Sequence, residues 1–193
     1  MSIVAISETL GSLGDEIGRE LARSLSYQFA NREIIFQAAE QFGEGELELE
    51  HLTEGKPTLL VRFSESERRY LTYVEAVLWE LAARDNGVLV GRGAAFVLRN
   101  VRQALRVRII APEALRAKRV EQKQGLTPDA ADLVRQSDRE LAARVKFLYQ
   151  VDWGAPLRYD LVLNTERLDV HGAVQIIRAA LQHERFQPTP KSL

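Results

Sequence analysis

The chain opens with a short apolar segment, a glycine-containing turn and an amphipathic helix, and this order constrains the fold more than any other feature. Residues 2–7, SIVAIS, are apolar and partly β-branched, which predicts a buried strand. The turn at residues 10–14 contains two glycines. Asp15 and Glu16 follow it, where the positive end of a helix dipole favours acidic side chains. The chain therefore begins as strand, tight loop and helix.

The same alternation continues to the C-terminus. Apolar segments predict further strands at 88–90, 105–110 and 160–165. Helical patterns fill the intervals, over 15–29, 31–42, 64–84, 94–98, 112–124, 127–150 and 170–183. Such alternation predicts an α/β fold, a three-layer open parallel sheet with helices on both faces. Ligands of such folds bind beyond the carboxyl ends of the strands.

Length and composition exclude several classes of protein. With 193 residues, 46% of them hydrophobic, we expect one domain over 1–187, a mobile acidic loop at 43–57 and a loose tail at 188–193. The absence of cysteine excludes disulfides, thiol catalysis and Cys-ligated metals, and we predict no metal site. We find neither a signal peptide nor an apolar run of membrane-spanning length, so we expect a cytoplasmic protein with no membrane partner.

Charge is unevenly distributed along the chain. The formal net charge of −1 favours neither nucleic acid nor membranes as partners. Residues 1–58 nevertheless contain 11 Asp and Glu against four Lys and Arg, and residues 92–146 contain 13 Lys and Arg against six Asp and Glu. Ten of those 13 cations are arginine, whose planar fork suits phosphate and carboxylate groups. The alternative is a general bias of composition toward arginine.

The first turn has the shape of a phosphate-binding loop but lacks its sequence signature. Backbone amides before a helix can hold a phosphate, and the candidate residues are Gly11, Ser12, Leu13, Gly14 and Asp15. The signature G-x-x-x-x-G-K-[ST] would place glycines at Glu8 and Leu13, lysine at Gly14 and serine or threonine at Asp15. The carboxylates of Glu8 and Asp15 disfavour a polyphosphate here.

The chain resembles the cytidylate kinase-like family, a branch of the nucleoside monophosphate kinases. Its first 35 residues are similar to the family pattern S-R-x-x-G-S-G-G-x-x-I followed by Y-D-[KR]-E-I-I. Further similar pieces follow in order: the apolar strand ending in Gly91-Arg92, the strand, Ala-Pro turn and R-x-x-R helix of 105–119, the lid-helix segment of 137–144, the turn at 152–154 and the last strand at 159–165.

The resemblance implies a P-loop nucleoside monophosphate kinase-like fold that transfers a phosphoryl group from ATP, with Mg²⁺, to a nucleoside monophosphate. It places a lid at about 116–150, from which Arg119, Arg139 and Arg144 would face the phosphates. Arg32 and Arg92 would lie near the acceptor nucleotide. Three of these arginines have a simpler alternative. Arg119 could form ion pairs with nearby acids on its own helix, and Arg32 and Arg139 could each pair with a nearby acid.

Several residues depart from the family pattern. Glu8 stands where the family tends to carry arginine, and Leu13 replaces a glycine. Ala30 and Asn31 replace a Tyr-Asp pair, and Gly93 stands where the classical cytidylate kinases carry an aspartate after Gly-Arg.

Three interpretations therefore remain open from the sequence. The first is a working kinase, and the second is a catalytically impaired kinase fold that binds a nucleotide or a protein partner. The third is a structural or assembly protein that uses the arginine-rich face against an acidic surface, including its own acidic half in a homodimer.

Overall fold

The structure, a computed structural model, describes residues 2–35, 65–124 and 129–186. The side chains of 65–71 and 124 are outside the description. The predicted acidic loop at 43–57, the predicted helix beyond residue 35, the helix start at Thr127 and the tail at 188–193 all lie outside the described residues.

Within the described residues, five parallel strands form one sheet in the order β2–β3–β1–β4–β5. Their bounds are β1 Ile3–Glu8, β2 Gln28–Ala30, β3 Gly87–Val90, β4 Ala104–Ile110 and β5 Leu161–Asn164. The central strand β1 pairs with β3 and β4, so that Ile6 is in register with both Val90 and Val107. The chain passes to one side of β1 and then to the other, which puts the loop after β1 where strand order reverses. The α/β prediction is confirmed.

Helices occupy most of the intervals between strands. They are α1 Gly14–Leu25, α2 Glu65–Ala83, α3 Ala94–Val97, α4 Glu113–Gln124, α5 Ala130–Tyr149 and α6 Val170–Leu181. Residues 32–35 are also helical, and Asn31 accepts hydrogen bonds from the amides of Glu33 and Ile34 at that helix start. Within the described ranges, no helix has the length and apolar character needed to cross a membrane.

Alternating side chains of β1 pack into two separate hydrophobic cores. Val4 and Ile6 pack in one cluster with Ile17 of α1 and Ile177 of α6. Ile3 and Ala5 pack in the other cluster; among its members are Leu78 of α2, Phe96 of α3 and Val145 of α5. Because successive residues of a strand point to opposite faces, this division places helices on both sides of the sheet.

The first helix is shorter than predicted. We expected it to run to Phe29, but it ends at Leu25, where Ser26 adopts a left-handed conformation with φ of 57°. Phe29 then lies in the edge strand β2 and pairs with Val88 of β3. The apolar spacing of Phe29 matches a helical face by coincidence, and no glycine marks the helix end.

Candidate functional site

A cavity of about 640 Å³ lies at the carboxyl edge of the sheet, beyond β1 and β3. Its walls come from the loop after β1, the turn after β3, and helices α4 and α5. This is the edge at which parallel α/β sheets bind ligands, because strand order reverses here.

The loop between β1 and α1 is tightly turned. Gly11 and Leu13 have positive φ angles of 79° and 70°, and the amide of Ser12 donates to the carbonyl of Thr9 at 2.9 Å. Gly11 is packed so closely that a Cβ there would lie 2.6 Å from the carbonyl oxygen of Arg116. Gly11, Leu13 and Asp15 line the cavity, whereas Ser12 and Gly14 are buried beneath it. The glycine is therefore needed so that the loop can contact α4.

Glu8 folds back over this loop. Its Oε2 accepts a hydrogen bond from the amide of Asp15 at 3.0 Å. A Cβ at Gly14 would lie 2.3 Å from the same oxygen. Burial, and secondarily the charges of Asp15 and Glu16, raise the pKa of Glu8 to about 7, against the opposing effects of that hydrogen bond and of Lys123. The sequence showed an acid in place of a cation, but it gave no sign that the carboxylate turns into the loop.

Arg119 connects the loop to the turn after β5. Its guanidinium donates to the carbonyl of Gly11 at 3.3 Å, and to the carbonyl and hydroxyl oxygens of Thr165 at 2.8 and 3.0 Å. The buried Thr165 hydroxyl in turn donates to the carbonyl of Ser12 at 2.9 Å. The simpler alternative for Arg119, an ion pair with an acid of its own helix, is not what the structure shows: Arg119 bonds to Gly11 and Thr165, and Glu113 of α4 pairs with Arg135 of α5. Arg119 lines the cavity while holding the loop in position.

Arg116 attaches α5 to the loop. Its side chain is 6% exposed and makes two hydrogen bonds to the carboxylate of Asp138, at 3.0 and 2.6 Å. The same guanidinium donates to the carbonyls of Ala111 and Leu10. Sequence reasoning did not identify this cluster, because Asp138 lies on another helix, 22 positions along the chain.

The residues predicted to lie near the acceptor nucleotide also line this cavity. Arg32 and Arg92 both line the cavity, and Gly91, Arg92 and Gly93 all have positive φ angles, of 81°, 50° and 79°. A Cβ at Gly93 would lie 2.4 Å from the hydroxyl oxygen of Tyr149 at the end of α5. The tyrosine thus occupies the space that an aspartate side chain at position 93 would need.

The two remaining lid arginines, Arg139 and Arg144, differ in their position relative to the cavity. Arg144 lines the cavity together with Ser137, Glu140 and Leu141, which share its face of α5. Arg139 is exposed and is not among the lining residues. Of the predicted arginines, Arg32, Arg92, Arg119 and Arg144 surround one cavity beside Gly11, Leu13 and Asp15, and Arg139 does not join them.

A buried polar network includes Ser7 and Trp153, which line the cavity, and it was missed from sequence. The indole of Trp153 donates to Ser7 Oγ at 2.9 Å, and the guanidinium of Arg108 stacks 4.2 Å from the Trp153 ring. Tyr159 donates to the Trp153 carbonyl at 3.0 Å. Burial lowers the pKa of Arg108. This network attaches the turn after α5 to the ends of β1 and β4.

No group of three or more His, Cys, Asp or Glu side chains in the described part of the chain could hold a metal ion. Mg²⁺, however, needs only one or two protein carboxylates when substrate phosphates supply the other ligands. Asp15 lines the cavity at the loop, and its two oxygens accept from Arg19 at 2.9 Å and from Asn31 at 3.2 Å. Carboxylate oxygens have further lone pairs, so Asp15 fits such a limited role.

The sequence profile of the cytidylate kinase-like family matches residues 3–167. The chain belongs to the cytidylate kinase-like family. Among its relatives, a cytidylate kinase of Pyrococcus horikoshii is 26% identical over 184 residues, covering 94% of this chain and 88% of that protein. A cytidylate kinase of Thermococcus kodakarensis is 28% identical with the same coverage.

Solved structures have the same fold. An uncharacterized protein from Eubacterium ventriosum superposes with a TM-score of 0.73 at 18% identity, covering 94% of this chain and 98% of that one. A shikimate kinase from Bacteroides thetaiotaomicron gives a TM-score of 0.59 at 18% identity, with 94% and 99% coverage. A gluconokinase from Sinorhizobium meliloti gives 0.59 at 16% identity, with 93% and 91% coverage. The family and these neighbours establish a kinase fold.

Proposed function

We propose that this protein binds nucleotides in the cavity beyond β1 and transfers a phosphoryl group from ATP to a nucleoside monophosphate. The single observation that supports this is the convergence of the loop after β1 with Arg32, Arg92, Arg119 and Arg144 around one cavity. Phosphoryl transfer depends on positioning two phosphates and stabilising the charge between them, and guanidinium groups do both.

In this proposal, Arg119 and the loop amides would bind the phosphates of ATP, and Arg32 and Arg92 would bind the acceptor nucleotide. All three arginines line the same cavity. Arg144 projects from α5 into the same cavity, so it is our candidate for the group that contacts the transferred phosphoryl. Asp15 is the candidate protein contact for the Mg²⁺ of Mg–ATP, which would neutralise charge on the phosphates. Arg139 is left out, since it does not line the cavity.

The test measures ADP formed from Mg–ATP in the presence and absence of CMP. We expect formation that depends on the acceptor. Arg144→Lys should lower kcat/KM at least about tenfold, because lysine keeps the charge but loses the two-pronged contact with phosphate. The control is Arg135→Lys, on the same helix but paired at the surface with Glu113 and Asp132. Equal losses in the two variants would contradict the role of Arg144.

A second candidate function is nucleotide binding without transfer. It is favoured by Glu8, whose carboxylate lies against the helix amide that a phosphate would use. ATP or CMP binding with no ADP formed at any acceptor concentration would select this function over the first.

A further inference from the structure

Arg108 of β4 is a buried cation to which the proposed function gives no role. The residue is 8% exposed, and its guanidinium lies 4.2 Å from the ring centroid of Trp153 and 5.4 Å from that of Tyr159. It also donates a hydrogen bond to the carbonyl of Trp153. An aliphatic side chain would fill this space without the desolvation cost of a charge, so the guanidinium adds direction as well as packing.

The turn that follows α5 is what Arg108 holds. Trp153 lies in this turn, and its indole donates to Ser7 Oγ at 2.9 Å, at the end of β1. Tyr159 donates to the same Trp153 carbonyl at 3.0 Å. The ring and the carbonyl of one residue are therefore both fixed against the sheet. Because α5 ends at Tyr149, a short segment before Trp153, this attachment fixes the carboxyl end of the helix.

Helix α5 is thus attached on both sides of Arg144. Before it, Asp138 pairs with Arg116 of α4. After it, Trp153 is held by Arg108. Arg144 lines the cavity between these two attachments. Since small displacements of a group that contacts the reacting phosphates are costly, the second attachment controls how well Arg144 is placed.

We propose that Arg108 is a positioning residue for phosphoryl transfer: by fixing Trp153, it holds the end of α5 so that Arg144 reaches the transferred group. This inference rests on the proposed function, in which ATP loses its γ-phosphoryl group as ADP leaves and a phosphate oxygen of the monophosphate gains it. The loop after β1 is held by Arg116 and Arg119 instead. The effect of Arg108 therefore falls on the transfer step and not on ATP binding.

The test measures ADP formed from Mg–ATP and CMP by the wild type, Arg108→Met and Arg108→Lys, at a temperature where melting curves show each protein folded. Arg108→Met should lower kcat about tenfold and leave KM for ATP within about twofold of the wild type. Arg108→Lys keeps a cation but loses the planar stack, so its kcat should lie between the two. If Arg108→Met does not fold, Arg108→Lys is judged by the same criteria.

The matched control is Arg106→Met, on the same strand, where Arg106 pairs with Asp160 at 2.8 Å and not with the turn after α5. It should keep the kcat of the wild type. A second readout follows the turn itself. The chain has two tryptophans, so Trp79→Phe leaves Trp153 as the single indole. In that background, acrylamide quenching of the buried Trp153 should increase with Arg108→Met and stay unchanged with Arg106→Met.

The outcomes separate this inference from the proposed function. If the wild type forms no ADP with any acceptor, both are overturned. If the wild type forms ADP and Arg108→Met keeps its kcat, the role of Arg108 alone is overturned. The same holds if kcat falls without increased quenching, or if KM for ATP rises as much as kcat falls. A lower kcat at constant KM, together with increased quenching, supports the inference.

Discussion

At the scale of single residues, Glu8 is the most informative position in the chain. Its pKa is raised from 4.5 to about 7. Between those two values the unfolded chain releases the proton while the folded chain keeps it. The free energy of unfolding therefore falls as pH rises through this window and levels off above pH 7.

We predict that Glu8→Gln removes this pH dependence. Glutamine keeps the shape of the side chain and has no charge to bury. The variant should be more stable than the wild type by about 3 kcal/mol at pH 8 and by less than about 1 kcal/mol at pH 5. Urea denaturation at the two pH values measures the difference. An equal difference at both pH values would contradict the buried, charge-repelled position of Glu8.

At the scale of elements, the loop after β1 and helix α4 are fitted to each other through Gly11. Gly11 and Gly91 have nearly the same φ angle, 79° and 81°, but different surroundings. A Cβ at Gly11 would meet the backbone of Arg116 at 2.6 Å, whereas a Cβ at Gly91 would meet nothing within 4 Å. Alanine substitutions at these two glycines therefore separate the stability cost of the backbone angle from the stability cost of the collision.

We predict that Gly91→Ala costs about 1 kcal/mol of stability, the penalty of a left-handed angle for alanine. Gly11→Ala should cost at least about 2 kcal/mol more, because the loop or α4 must also move. Chemical denaturation of the two variants measures both costs. Similar values for the two would mean that the loop does not contact α4 as described.

At the same scale, the Arg116–Asp138 pair attaches α5 to α4 and to the loop after β1. Asp138→Ala would leave the guanidinium of Arg116 without its carboxylate in a buried position. We predict that the free energy of unfolding falls by about 3 kcal/mol. This is at the lower end for a broken buried ion pair, because Asp138 is partly exposed. The control is Asp132→Ala, in the exposed pair with Arg135 on the same helix, which should cost less than about 1 kcal/mol. The comparison uses urea midpoints, and equal losses would show that Arg116 does not hold α5.

At the scale of the whole molecule, the sequence predicted the sheet and the position of its ligand edge. Strands β1, β3, β4 and β5 are apolar enough to recognise, whereas the three-residue β2 is an edge strand whose Phe29 mimics the next turn of a helix. Four arginines line one cavity with the first loop. This could be expected from the sequence, since the resemblance assigns each of the four to a phosphate or to the acceptor nucleotide.

What the sequence could not supply was pairing between distant residues. The Arg116–Asp138 pair, the Arg119–Thr165 contacts and the placement of Tyr149 against Gly93 each join segments that only the folded chain brings together. The direction of the Glu8 side chain could not be predicted from the sequence either, because it depends on the space that Gly14 leaves free.

The most direct test of the proposed phosphate site is a crystal structure of the Glu8→Gln variant soaked with ATP and CMP. We expect phosphate density within hydrogen-bonding distance of the amide of Asp15, beside Gly11, with Arg119 and Arg144 directed toward it. Nucleotide density elsewhere on the molecule, with the loop after β1 free of phosphate, would contradict the claim that this loop and the arginines of α4 and α5 form one phosphate site.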